Sequence, residues 1–156
     1  MELIKMHKSL SVEYFGIQLA DLERNGYVVD KKSDEVVVVT RQEGQYLLDF
    51  RVQGDQFDLE PPLIEFADPN TGERLADHLW PQGQPIINGG NSIFPGKMLC
   101  RTGNRAYHTH QSHLIDPFSK HRNGFTLRRF LDVLVERITS GQINMMPTGG
   151  IYNATR

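Results

Sequence analysis

The run EVVVVTR at 35–41 constrains the fold more than any other stretch. Its valines are β-branched and favour extended backbone. Four in a row leave neither face polar, so the strand is too apolar for one wet side. YVVDK (27–31) precedes it and YLLDFRV (46–52) follows. In YLLDFRV the period of two puts Leu48, Phe50 and Val52 on one face and Asp49 and Arg51 on the other. The links KSD and QEGQ are short and polar, which predicts an antiparallel meander rather than crossovers. Pro61 and Pro62 then punctuate the chain, and LIEFA (63–67) reads as a fourth strand.

A sheet with a continuous apolar face needs a partner layer, and two helical stripes supply one. Val12, Phe15, Leu19 and Leu22 recur at helical spacing and predict a helix over Val12–Asn25, with Ser11 as N-cap and Gly26 as the C′ stop. Residues 1–10 either extend that helix or precede it as an arm. Leu127, Phe130, Leu131, Leu134 and Ile138 mark a second helix, capped by Thr126 and stopped by Gly141. Arg128, Arg129 and Arg137 form its wet face. From Asp68 to Gly96 prolines and glycines break every period. Within that segment PIINGG is a brief extended piece, Trp80 belongs to the core, and KMLC is a short strand delivering Cys100. The tail from 142, with a TGG turn at 148–150, is loose or docked as an extended segment. The expected architecture is α+β, one domain over 1–156 with its core at about 10–141.

Composition narrows the function. A net charge of −2 provides no positive field for a nucleic-acid backbone. The start, MELIKMHKSLSVEYF, has no apolar run of signal-peptide type, and no stretch approaches the ~20 apolar residues of a membrane span. One cysteine cannot form an internal disulfide, which fits a cytoplasmic setting.

Chemistry concentrates in FPGKMLCRTGNRAYHTHQSH (94–113), which holds Cys100 and three of the six histidines. Cys100 reads as a nucleophile, as a metal ligand, or as a small buried apolar side chain. The metal alternative gathers Cys100, His108, His110, His113 and His121 around zinc, with His108 and His110 on one face of a strand. No CxxC or HExxH spacing supports it, and a zinc-dependent hydrolase lacks a glutamate at motif spacing.

Element order and three local patterns resemble the ubiquitin-conjugating-enzyme family over roughly residues 10–140. YLLDFRV followed by EPPLIEFADP is similar to that family's third strand, proline turn and fourth strand. NSIFPGKMLC resembles the approach to its catalytic cysteine, and PFSKHRNGFTLRRFLDVL the entry into its next helix. The departures are specific. The His-Pro-Asn triplet is missing, and Asn91 and Gly96 each stand about one residue further from Cys100 than in the family. The 100–126 segment is long and histidine-rich, and the chain after 141 is too short for the usual C-terminal helix pair. Compact forms of this kind resemble bacterial relatives encoded beside ubiquitin-like modifiers.

The resemblance implies transthiolation without a cofactor: Cys100 takes a modifier's C-terminal carbonyl from an activating enzyme and passes it to an amine on a protein substrate. Asn91, with Asn88 second, is the expected oxyanion donor. His108, His110 or Asp116 is the expected base for the acceptor amine. Lys97, Arg101 and Arg105 lie close enough in sequence to favour the thiolate. The alternative within the family is a non-catalytic relative that binds a ubiquitin-like protein or its activating enzyme.

Overall fold

The computed structural model describes residues 2–155; Met1 and Arg156, part of the expected 1–156 domain, lie outside the described residues. The first helix, α1, runs Glu2–Arg24. Ser11 is therefore not a cap but a buried residue inside the helix, because nothing from Glu2 to Leu10 breaks helical backbone. The predicted stop holds. Gly26 takes φ +89°, and the Tyr27 N–H donates to Leu22 O at 3.1 Å, the wider of the two Schellman bonds.

Four strands follow in sequential antiparallel order: β1 Val28–Lys31, β2 Val36–Glu43, β3 Tyr46–Gln53 and β4 Leu63–Phe66. The register aligns Val37 with Val52 and Ile64, and Val39 with Phe50 and Phe66. These side chains share one face and pack into the main core with Phe15, Leu19 and Leu22 of α1. The other face carries Val38, Arg51 and Glu65 side by side. It is covered too, by the 68–75 hairpin. Arg74 reaches Glu65 at 2.9 Å, and Gly72 sits close enough to Val38 that a Cβ there would stand 3.3 Å from Val38 Cγ2. Two covered faces explain the all-apolar valine run.

The proline-rich segment has little regular structure, yet it is packed. Trp80 is fully buried as expected, stacks edge-on against Phe66 at 5.2 Å, and donates its indole N–H to Leu75 O. Two short strands, β5 Ile86–Ile87 and β6 Met98–Leu99, pair antiparallel just before Cys100. A short helix, α2 Arg105–Thr109, then carries His108. The final helix, α3 Leu127–Thr139, begins as predicted, with Thr126 Oγ1 accepting the Arg129 N–H, and ends before Gly141 at φ +82°.

The tail is docked. Ile143, Met145 and Tyr152 belong to the core, so buried structure continues past 141. The segment lies along the edge of β3 that β4 leaves open: Leu47 N–H donates to Tyr152 O, and Ala154 N–H to Gln45 O.

Candidate functional site around Cys100

Cys100 is the first residue after β6, and two backbone attachments fix it. Its own N–H donates to Pro85 O at 2.8 Å. The preceding carbonyl, Leu99 O, accepts from Asn104 Nδ2 at 2.8 Å. Asn104 is fully buried and also bridges to β4, donating to Ile64 O and accepting the Ile64 N–H at 2.9 Å. Its amide thus bolts the cysteine segment to the sheet. Sequence reasoning passed over Asn104, because an asparagine in RTGNR looks like any turn residue.

The thiol is half-buried, and burial pushes it above its ordinary pKa. The cations near it in sequence do not counter this. Arg105 turns away to Asp55 at 2.9 Å and to Pro61 O at 3.0 Å. Arg101 lies over the Phe130 ring, and the Lys97 backbone is tied to Asp77 and Arg74. The expectation that Lys97, Arg101 and Arg105 favour a thiolate is not met by this arrangement.

Asn91 is buried, and its side chain is fully used. Nδ2 donates to Ala106 O and to Thr109 Oγ1, while Oδ1 accepts the N–H groups of Ile93 and Phe94. It ties the 91–94 turn to α2 and has no free N–H for an oxyanion. Asn88 is exposed on the short loop after β5.

The histidines fall on helical turns rather than on a strand, so His108 and His110 do not share a strand face. His108 Nδ1 lies 2.8 Å from Asp116 O, and Nε2 accepts the Gly103 N–H at 3.0 Å. Those partners assign the proton to Nδ1 and leave neither nitrogen available as a base. Burial above all holds the ring neutral, with its pKa below the usual histidine value. His110 Nδ1 accepts from the Ser112 N–H at 3.1 Å and faces its hydroxyl at 2.6 Å. His113 stacks on Tyr107 at 4.0 Å between centroids. Among the described residues no three His, Cys, Asp or Glu side chains converge as a metal site, so the Cys100–His108–His110–His113–His121 set is not assembled.

What does converge is a line of groups on α2 and the loop beyond it. Asp116 accepts the Tyr107 hydroxyl on Oδ2 and faces His121 Nε2 with Oδ1, each at 2.7 Å. The His121 contact first, then the Tyr107 hydroxyl, hold the Asp116 carboxyl below its ordinary pKa. The Tyr107 hydroxyl is pushed up, chiefly by its hydrogen bond to Asp116. Tyr107 and His121 thus join Asp116 in a polar network. The spacing of Tyr107, Asp116 and His121 carries no motif that marks this in the sequence.

Neither the known family models nor the curated proteins include a match to this chain.

Proposed function

We propose that the chain is a divergent ubiquitin-conjugating-like protein that carries a ubiquitin-like modifier on Cys100 as a thioester and passes it to an amine on a protein substrate. The observation that carries this reading is the position of Cys100. It is a lone, half-exposed thiol, anchored through its own N–H and the preceding carbonyl, at the end of a short strand between a four-stranded meander and the following helix. A residue that must meet two large partners in turn needs that combination of access and fixed backbone. In the charging step the thiol gives up its proton and its sulfur attacks the carbonyl of the modifier's thioester on the activating enzyme. The S–acyl bond to that enzyme breaks, and its cysteine leaves as thiolate.

In this reading the Tyr107–Asp116–His121 network is the source of acid–base help. His121 or the Asp116 carboxylate takes the acceptor amine's proton through the tyrosine hydroxyl or a water. A cytoplasmic setting and an activating-enzyme partner belong to the same proposal. No described helix is long and apolar enough to cross a membrane.

A second reading, a non-catalytic relative that binds a modifier or its activating enzyme, is favoured by one observation: the thiol is shifted away from the thiolate, and the Asn91 amide is already occupied. One experiment separates the two. The protein is mixed with modifier, activating enzyme and ATP, and run on a gel with and without reductant. A reductant-sensitive adduct that is lost in Cys100→Ala, or becomes a stable ester in Cys100→Ser, supports the conjugating reading. Binding without an adduct, while the activating enzyme itself charges, supports the second.

A further inference from the structure

A cleft of about 400 Å³ opens between Arg101 and Thr102, the 120–126 loop and the first turn of α3. Phe125 and Phe130 form its apolar wall, and Arg101, Lys120, His121 and Arg129 form its rim. The chain as a whole carries a net charge of −2, so a cluster of this sign is a local departure.

The pairing pattern of the arginines makes the departure specific. Arg24, Arg41, Arg51, Arg74, Arg105, Arg122 and Arg128 each reach a carboxylate within 3.6 Å. Among the described residues Arg101 and Arg129, the two arginines of the cleft, pair with none; outside the cleft Arg137 also lacks a carboxylate and donates instead to Gln84 O at 3.2 Å. Arg101 is the more telling. Its Nε is closed off from solvent and has no hydrogen-bond partner, and its guanidinium is held 5.6 Å over the Phe130 ring. Arg137 adds the repulsion of a second cation. A buried donor left unpaired and a cation facing another cation both oppose folding. An anion in the cleft relieves the second directly. Lys120 uses one N–H on Ile115 O and keeps its others, and His121 is already held by Asp116.

We propose that this cleft is a phosphoryl-binding site. A dianionic group matches two arginines and a lysine better than a single carboxylate does, and planar guanidinium groups suit its oxygens. Phe125 and Phe130 receive the apolar part of whatever carries it. Arg101 and Thr102, which follow Cys100 directly in the chain, line the cleft, so a bound phosphoryl group touches the segment that carries the thiol. The proposal does not depend on thioester chemistry, and its test uses neither modifier nor activating enzyme.

Inorganic phosphate is titrated into the full chain by calorimetry at constant ionic strength, with chloride replaced stepwise. Saturable one-site binding is expected. Arg129→Gln and Lys120→Gln, both at exposed positions, are each expected to weaken it roughly tenfold while leaving the phosphate-free melting temperature unchanged. A phosphoserine peptide and its glutamate counterpart form the second arm. Tighter binding of the phosphopeptide than of inorganic phosphate assigns the site to a phosphorylated polypeptide, and equal affinity assigns it to a free phosphate ester. Heat that never saturates, affinities untouched by both variants, or a glutamate peptide that binds as well as the phosphopeptide would each overturn the proposal.

Discussion

Tyr107 donates its hydroxyl to Asp116 Oδ2 at 2.7 Å, and the same carboxylate faces His121 through its other oxygen at 2.7 Å. Asp116 thus closes the loop from α2 to the 118–121 turn. One carboxylate links the tyrosine and the histidine, and the network around it has measurable consequences.

The first consequence is acid sensitivity. The folded Asp116 carboxyl titrates below its ordinary value, held down first by His121 and then by Tyr107. Such a group contributes stability above its unfolded pKa, roughly 3.9, and loses it as pH falls through the depressed folded value. Wild-type melting temperature is therefore expected to fall below about pH 4 in part through this group. Asp116→Asn removes that component. Melting curves from neutral to strongly acidic pH check it, and an unchanged acid limb in the variant counts against the network.

His108 behaves oppositely to a base waiting for a proton. Burial lowers its folded pKa, and protonation would expel the Gly103 N–H from Nε2. Its contribution is present above the ordinary histidine value of roughly 6.5 and is lost as pH falls through the lower folded value. Nitrogen-15 NMR is expected to find a neutral ring protonated on Nδ1 near pH 6. A charged imidazolium at that pH would contradict the assignment.

The Cys100 thiol should be sluggish in the free protein. Burial raises its pKa and no neighbouring cation opposes this. The rate of alkylation by iodoacetamide is expected to rise with pH about an inflection above roughly 8.5. An inflection below that value would mean that Arg101 acts on the sulfur. The Arg101→Gln variant then identifies the source.

Asn104→Ala tests the bolt beneath the site. The substitution strands the Ile64 N–H and two carbonyls inside the protein. A loss of about 3 kcal/mol in urea unfolding is expected. Amide exchange at Ile64 should speed up in step with it. Protection at Ile64 that survives the substitution would show that another group holds the segment.

The regular elements were legible in the sequence because their signals are local. β-branched runs, short polar links and helical stripes fixed the four strands, and Thr126, Gly26 and Gly141 marked helix ends through chemistry that acts within one turn. Ser11 misled because a good capping residue caps only where a helix begins, and α1 begins earlier. The site was less legible. Asn91, His108 and Asn104 are ordinary polar residues whose roles come from partners 5 to 40 positions away. Composition and spacing do not encode which buried amide a side chain will meet. Arg105 likewise stands close to Cys100 in sequence but pairs with Asp55 in the fold, and Arg101 lies over the Phe130 ring.

The tail supplies the last test, because its aperiodic sequence hides a structural role. Tyr152 is 1 % exposed, packs 6.1 Å from the Phe66 ring, and donates its hydroxyl to Ala67 O. Phe66 in turn stacks on Trp80 and pairs with Phe50, so Tyr152 closes the end of the sheet that leads into the proline-rich segment. Tyr152→Phe keeps the ring and strands one carbonyl, for which about 1 kcal/mol is expected. Tyr152→Ala also opens a cavity against Phe66, and about 4 kcal/mol is expected. That exceeds what a surface tail could contribute and is a large part of a domain's stability. Chemical unfolding of both variants checks the ratio. If the alanine variant unfolds at the wild-type midpoint, the tail is an appendage. If it loses most of its stability, the core of this fold is completed only by residues beyond Gly141.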